Sequence, residues 1–312
     1  MRRAVIDPRL EARVISRRSL AYTTGANVDE DIPAHVRAAS GVVVRGDHLL
    51  VIQDDMAVIA AIGTAIGATI GSAVEALALP RGPGDRRRFE VALGNKLDKL
   101  DLEAALLVDD ELWAFGSGSL PVRERIVRVR GSEIEIVYGA SLYAAIRATI
   151  GGALNIEGVA HVADQLWLFH RGNTGARDPG PAVVRIELAE VQAWLAGGPT
   201  PDVSGVDRYD LGAVGGVRLG FTDAVARGAR VYYVAAAEAS PDAIADGAVL
   251  GSLIGVIDGD SVRCAPLCDR DGAALKVEGL ALIDDHRGWI TLDPDDVDVP
   301  APLCEILLHG PW

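Results

Sequence analysis

Five segments of this 312-residue chain repeat one pattern, and that repeat restricts the fold more than any other property of the sequence. They are SGVVVRGDHLLVIQDD from Ser40, LEAALLVDDELWAFGSGS from Leu102, IEGVAHVADQLWLFHRGN from Ile156, TDAVARGARVYYVAAAEAS from Thr222 and VEGLALIDDHRGWITLDPDD from Val277. Each opens with a small or acidic polar residue near a Gly or Ala, runs through a short apolar strand and turns at charged residues or Gly. It then returns as a second apolar strand, which is the pattern of a β-hairpin.

Anchors at Ser40, Glu103, Glu157, Asp223 and Glu278 are separated by 63, 54, 66 and 55 residues, each interval long enough for four strands with their turns. Four-stranded units repeated in this way form propeller blades. Further strands are legible at 125–130, 133–138, 182–188, 249–258 and 261–266. The last copy has only 302–309 after its hairpin, one strand short, and residues 11–22 (EARVISRRSLAY) are placed to supply it from the other terminus. The sequence therefore predicts an all-β chain: a single β-propeller domain over 1–312 with five four-stranded blades, its ring closed by N- and C-terminal strands. Six blades are the alternative, but the 63-residue first interval is too short for two.

Composition narrows the partners. Lys and Arg number 30 against 44 Asp and Glu, and a formal charge of −14 repels phosphate backbones and anionic lipid surfaces, so neither nucleic acid nor membrane is expected. The start, MRRAVIDPRLEARV, meets Asp7, Arg9 and Glu11 before any apolar run, and a cytoplasmic location is expected. Residues 56–74 (MAVIAAIGTAIGATIGSAV) carry no charge and space Gly63, Gly67 and Gly71 as in a weak membrane span. Their Ala, Gly and Thr content and their place between two repeats favour buried strands. Cys264, Cys268 and Cys304 are odd in number and lack C-x-x-C spacing, which predicts buried free thiols.

The repeat also predicts a location for chemistry. First strands begin near the propeller axis and each hairpin returns to the same face, so Ser40, Glu103, Glu157, Asp223 and Glu278 should meet at one mouth, with Asp101 and Asn155 just upstream. The second strands deliver Gln53, Asp54 and Asp55, then Gly116 to Ser119, then His170, Arg171 and Asn173, then Glu238, and finally Asp293, Asp295 and Asp296. Converging carboxylates repel unless protons, arginines or a metal compensate. An all-oxygen donor set suits Ca²⁺ or Mg²⁺. The alternative is structural, with the acids accepting hydrogen bonds from backbone N–H groups of the next blade.

His170 and Arg171 read as the only basic residues of the ring, either as a general base and an anion clamp or as ion-pair partners for the acids. Gly116-Ser117-Gly118-Ser119 offers N–H groups and hydroxyls without the strand-to-helix setting of a phosphate loop. Trp113, Trp167 and Trp289 recur in second strands and predict blade-to-blade packing. Arg123, Arg125, Arg128 and Arg130 alternate as one solvated face, and a loop at 240–248, with Asp242 and Asp246, is expected at the mouth.

The E-G-apolar starts at Glu157-Gly158-Val159-Ala160 and Glu278-Gly279-Leu280-Ala281, each followed by a Trp-bearing strand, resemble the phytase-like propellers and, more distantly, the gluconolactonase and paraoxonase superfamily. The set DLEA at Asp101, GSGS at Gly116, NIEG at Asn155, HRGN at His170 and VEGLA at Val277 resembles an uncharacterised bacterial family of propeller proteins over nearly the whole chain. The hydrolase resemblance implies a calcium at the channel mouth activating a lactone or phosphoester, with Glu103, Asn155, Glu157, Asp223 and Glu278 as ligands. It departs from those hydrolases in blade number and in its mostly Glu ligand set. Two functions follow. One is a metal-dependent hydrolase in which His170 or Asp293 moves a proton and Arg171 holds an anionic group, acting on a small molecule at the mouth. The other is a non-catalytic propeller that binds a protein partner, with the carboxylates capping the channel.

Overall fold

The computed structural model, which describes residues 1–63, 73–172, 178–239, 247–269 and 271–312, is a five-bladed β-propeller. From the axis outward, blade 1 comprises Ala39–Arg45, His48–Gln53, Val58–Gly63 and Val74–Ala78; blade 2 comprises Leu102–Val108, Glu111–Gly116, Arg125–Arg130 and Glu133–Tyr138. Blade 3 is Ile156–Val162, Gln165–His170, Ala182–Glu187 and Val203–Asp210, and blade 4 is Gly220–Arg227, Arg230–Glu238, Val249–Asp258 and Ser261–Leu267. In blade 5, Val277–Leu282, Arg287–Leu292 and Pro302–His309 are completed by Glu11–Ser19, which pairs antiparallel with the C-terminal strand. The ring is thus closed by both termini, as the missing strand of the last repeat required.

The N-terminal segment does more than close the ring. Arg2–Arg3 adds in parallel to the outer strand of blade 3, and Val5–Ile6 adds in parallel to that of blade 4. The first 19 residues therefore cross the outer edges of three successive blades, covering backbone groups that would otherwise be open edges. Two-residue strands carry no periodicity that a sequence pattern could reveal.

Apolar clusters fill the interfaces between blades. Trp113 packs between blades 2 and 3, Trp167 against the cluster of blades 3 and 4, and Trp289 between blades 5 and 1, in the roles their recurrence predicted. The described part of 56–74 contributes strands whose Val58, Ile59, Ala60 and Ile62 are fully buried; residues 64–72 lie outside the described residues. Among the described residues no helix is long and apolar enough to cross a membrane. Cys264 and Cys304 are buried free thiols, but Cys268 is exposed, because it lies beyond the end of its strand.

Two α-helices interrupt the all-β expectation among the described residues. The first, α1 (Ala140–Ile150), buries Leu142, Tyr143, Ile146 and Ile150 on one face against blades 2 and 3 and ends at Gly151 in the left-handed conformation. The second, α2 (Leu188–Leu195), ends the strand expected at 182–188 one residue early and turns Leu188 and Val191 into the same cluster.

Every innermost strand carries a β-bulge at its start, and the extra residues are Ser40, Glu103, Glu157, Thr222 and Glu278. The next position is Gly41, Ala104, Gly158, Asp223 and Gly279, where inner strands of neighbouring blades touch. A Cβ on Gly158 would lie 2.9 Å from the Ala224 nitrogen, and one on Gly279 would lie 2.9 Å from Gly41 Cα. The Glu-Gly pair is therefore a steric requirement of five strands crowded on one axis. We expect Gly279→Ala to destabilise the fold by roughly 1–3 kcal/mol in urea denaturation. Gly63→Ala, with nothing within 4 Å of the added methyl among the described residues, should be close to neutral in the same assay.

Candidate functional site at the channel mouth

The bulges decide which side chains share the mouth. In the register of blade 4 the counterpart of Glu103, Glu157 and Glu278 is Thr222, and Asp223 occupies the glycine position. Matching Asp223 to the glutamates by sequence is thus displaced by one residue. Its Oδ1 accepts from the Ala224 N–H at 2.7 Å and its Oδ2 from the Leu280 N–H at 2.7 Å, tying blade 4 to blade 5. Burial pushes the Asp223 carboxyl well above the usual range, against the two N–H groups that pull it down. Ser40 makes the corresponding link from blade 1, donating to the Leu102 carbonyl at 2.5 Å. Asp223 thus accepts from a backbone N–H of the next blade, as the structural alternative has it, while Ser40 ties its blade to the next by donating instead.

A backbone bond repeats where the second strand passes the first. The N–H groups of Asp54, Ser117, Arg171 and Asp293 donate to the carbonyls of Ala38, Asp101, Asn155 and Lys276 at 3.1, 2.9, 2.9 and 3.2 Å. This frame delivers acids and bases to the mouth together. At blade 2, Lys99 Nζ lies 2.5 Å from Asp54 Oδ2 and 2.6 Å from Asp101 Oδ1. Asp101 also accepts from Arg123 at 3.0 Å and from the Ser117 hydroxyl. At blade 3, Glu157 accepts from Asn155 Nδ2 at 2.6 Å and from Arg171 at 3.1 Å, and Arg171 also donates to Glu238. At blade 5, Lys276 lies 3.8 Å from Glu278, 3.1 Å from Asp293 and in contact with Asp295.

Lys99 and Lys276 correct the expectation that His170 and Arg171 are the only bases of the ring. They stand four and two residues before a bulge glutamate, so a Lys just upstream of an Asp or Glu-Gly start was the available signal. Arg123 is a second correction. It lies in a short turn, 1% exposed, and holds Asp101, while Arg125, Arg128 and Arg130 stay on the strand. The GSGS segment wraps the same carboxylate: Ser117 is buried on Asp101, and a Cβ at Gly116 would fall 2.1 Å from the Arg123 carbonyl oxygen.

His170 is fully buried, with Nδ1 3.2 Å from the Asn155 N–H and Nε2 3.4 Å from Asp178 Oδ1. Asp293 and Asp295 line a cavity of about 370 Å³ between blades 1 and 5, together with Arg37, Asp54, Asp55, Phe89, Glu90 and Lys99. Asn173, Asp242 and Asp246 lie outside the described residues.

Charge and burial separate the acids. Burial pushes Asp101 up, but Lys99 and Arg123 overcome it and hold the carboxyl below the usual range. Glu103, 4.8 Å or less from Asp54 and Asp101, is driven well above it by burial, then by Glu157, Asp54 and Asp101. Among the described residues Glu103 has no hydrogen bond or ion pair. Burial raises Glu157 and Glu278 as well, despite Arg171 and Lys276. Asp55 is pushed up to about 7 by burial and by Asp54.

The carboxylates of Asp54, Asp101 and Glu103 are close enough to hold one metal ion. Glu157 and Glu278 are not in that group, so the structure gathers a different set from the expected Glu103, Asn155, Glu157, Asp223 and Glu278. The oxygen donors suit Ca²⁺ or Mg²⁺, but the Lys99 ammonium already lies between two of the three.

Fold and site together define a five-bladed propeller with a mixed-charge, acid-rich mouth. The chain belongs to a family of unknown function, DUF6929, whose model matches residues 35–308. No match was found among curated proteins. Similar solved structures include a protein assigned as a gluconolactonase, at 12% identity over 98% of this chain and 96% of the other, with TM-score 0.47. Glutaminyl cyclase of Myxococcus xanthus matches at 11% identity over 96% and 97%, TM-score 0.42. The PQQ-bound aldose sugar dehydrogenase of Streptomyces coelicolor matches at 11% over 98% and 100%, TM-score 0.39. At these values nothing about activity carries over.

The raised carboxyls give a signed pH dependence. The folded chain keeps protons that the unfolded chain releases from about pH 4 upward, so their stabilisation is full below that pH and is lost as pH rises through the folded values, about 7 for Asp55. The melting temperature should therefore fall between pH 5.5 and pH 8, and fall less in Asp55→Asn. A melting temperature that rises over this interval contradicts the assignment.

Proposed function

We propose that this protein is a small-molecule hydrolase of the lactone or phosphoester class that works at the blade 2 corner of the channel mouth by carboxyl acid–base chemistry. One observation carries the reading: Glu103 and Asp101, within 4.8 Å of each other, are driven in opposite directions. Two carboxyls pushed apart in this way are suited to separate proton-transfer roles. Glu103, with no hydrogen bond or ion pair among the described residues, is the carboxyl whose surroundings favour the protonated form, and it would deliver that proton to the leaving oxygen. Asp54, 22% exposed and lining the cavity, takes the proton of the attacking water in this reading; burial raises its carboxyl as well, which strengthens it as a base, while Asp101 stays ionised beside it. Lys99 supplies positive charge beside the reacting centre and keeps Asp101 ionised. Arg171 and His170 act at a distance in this reading, Arg171 by fixing Glu157 and His170 by fixing Asn155. Asp293 would face substrate from blade 5.

A second reading is favoured by the closeness of Asp54, Asp101 and Glu103. A divalent cation held by these three would polarise the substrate oxygen, and it requires Lys99 to move away.

Turnover of lactones and phosphoesters by Glu103→Gln should fall by about 10²–10⁴-fold with the melt little changed. Full activity in that variant contradicts the proposal. Elemental analysis of protein purified without chelator, with melts in the presence and absence of EDTA, separates the two readings. The carboxyl mechanism expects no stoichiometric metal and an unchanged melt. About one equivalent of Ca²⁺ or Mg²⁺ whose removal lowers the melting temperature supports the second reading.

A further inference from the structure

The cavity between blades 1 and 5 opens beside the proposed centre and mixes two kinds of lining. Phe89, Val91, Ala92 and Val297 are apolar, with Val91 76% and Val297 45% exposed. Asp54, Asp55, Glu90, Asp293, Asp295 and Asp296 are acidic. At about 370 Å³ it is the size of a small organic ligand.

Positive charge is already shared out around it. Arg37, 3% exposed, reaches Asp55 at 2.6 Å and Glu90 at 2.9 Å. Lys99 is divided between Asp54 and Asp101, and Lys276 among Asp293, Asp295 and Glu278. Each of these cations answers to at least two carboxylates, and with Lys96 also in the wall the acids still outnumber the bases. A further observation points the same way: Asp55 is paired with Arg37 through Oδ2 alone, and among the described residues its buried Oδ1 has no hydrogen-bond donor, even though the Arg37 Nε and Nη2 beside it are also buried without a hydrogen-bond partner. A buried carboxylate oxygen left without a donor is costly, and a ligand N–H would relieve it.

We infer that this cavity is the binding subsite for an organic ammonium group, whose N–H donors face Asp55 and Asp293 and whose apolar body lies on Val91 and Val297. The inference rests on the reading of the mouth as a ligand site and names the substrate class: a compound with a protonated amine a few bonds from its scissile ester or lactone. A metal ion would leave the apolar lining unused, and an anion would meet a surplus of carboxylates.

The test uses n-butylammonium chloride, n-butanol and sodium butyrate in thermal-shift and calorimetric titrations of the full chain at low ionic strength. Butylammonium should raise the melting temperature by about 2 °C at saturating concentration, with butanol and butyrate giving no shift. Asp55→Asn/Asp293→Asn should lose the response. Val91→Lys, at an exposed position that cannot disturb the core, should weaken it about tenfold, which keeps the test informative if the double variant does not fold. Glu103→Gln should retain amine binding while losing turnover, so failure of the acid–base reading and failure of this one are distinguishable. An equal response to butanol, or an undiminished response in folded Asp55→Asn/Asp293→Asn protein, overturns the inference.

Discussion

Five inner strands meeting on a narrow axis set the terms for the rest of this molecule. Their crowding leaves no room for a Cβ at Gly158 and Gly279, so each strand enters through a bulge that places one residue out of the ladder and a glycine, or a substitute for it, at the contact. Where the substitute is Asp223, its carboxylate takes the Leu280 N–H of the next blade and becomes a tie between blades. The residues left over by the bulges, Glu103, Glu157 and Glu278, then have nowhere to go but the channel mouth.

Gathering carboxyls in one buried place requires compensation, and the chain provides it from within. Lys99, Arg123, Arg171 and Lys276 each hold acids from the mouth, most of them bridging groups from two strands or two blades. A buried cation that serves several acids fixes their geometry, and it makes conspicuous the acid that has no hydrogen bond or ion pair among the described residues. Glu103 is that acid. Its environment favours the protonated form while Asp101, a few ångströms away, is kept ionised, the asymmetry on which the proposed acid–base reading rests.

Much of the fold was legible because it is carried by local pattern. Hairpins announce themselves through alternating strands and Gly or charged turns, their spacing sets the blade size, and the missing strand of the last repeat pointed to residues near the N-terminus. Recurrent Trp residues marked the blade interfaces. The helices α1 and α2 escaped notice because they are short insertions outside the repeated hairpins, and the two-residue strands at Arg2–Arg3 and Val5–Ile6 have no pattern to detect.

Sequence by itself determined the five-blade architecture, the closing of the ring and the convergence of Glu103, Glu157 and Glu278 on one mouth, because repeat length and residue alternation act over a few neighbours. Tertiary structure alone decided that Asp223 leaves that ring for a backbone tie, that Arg123 turns inward to Asp101, and that Lys99 bridges two acids from different blades. Those outcomes depend on a one-residue bulge and on charges brought together between neighbouring blades, as with Asp54 and Lys99, whose closeness in space no local pattern encodes.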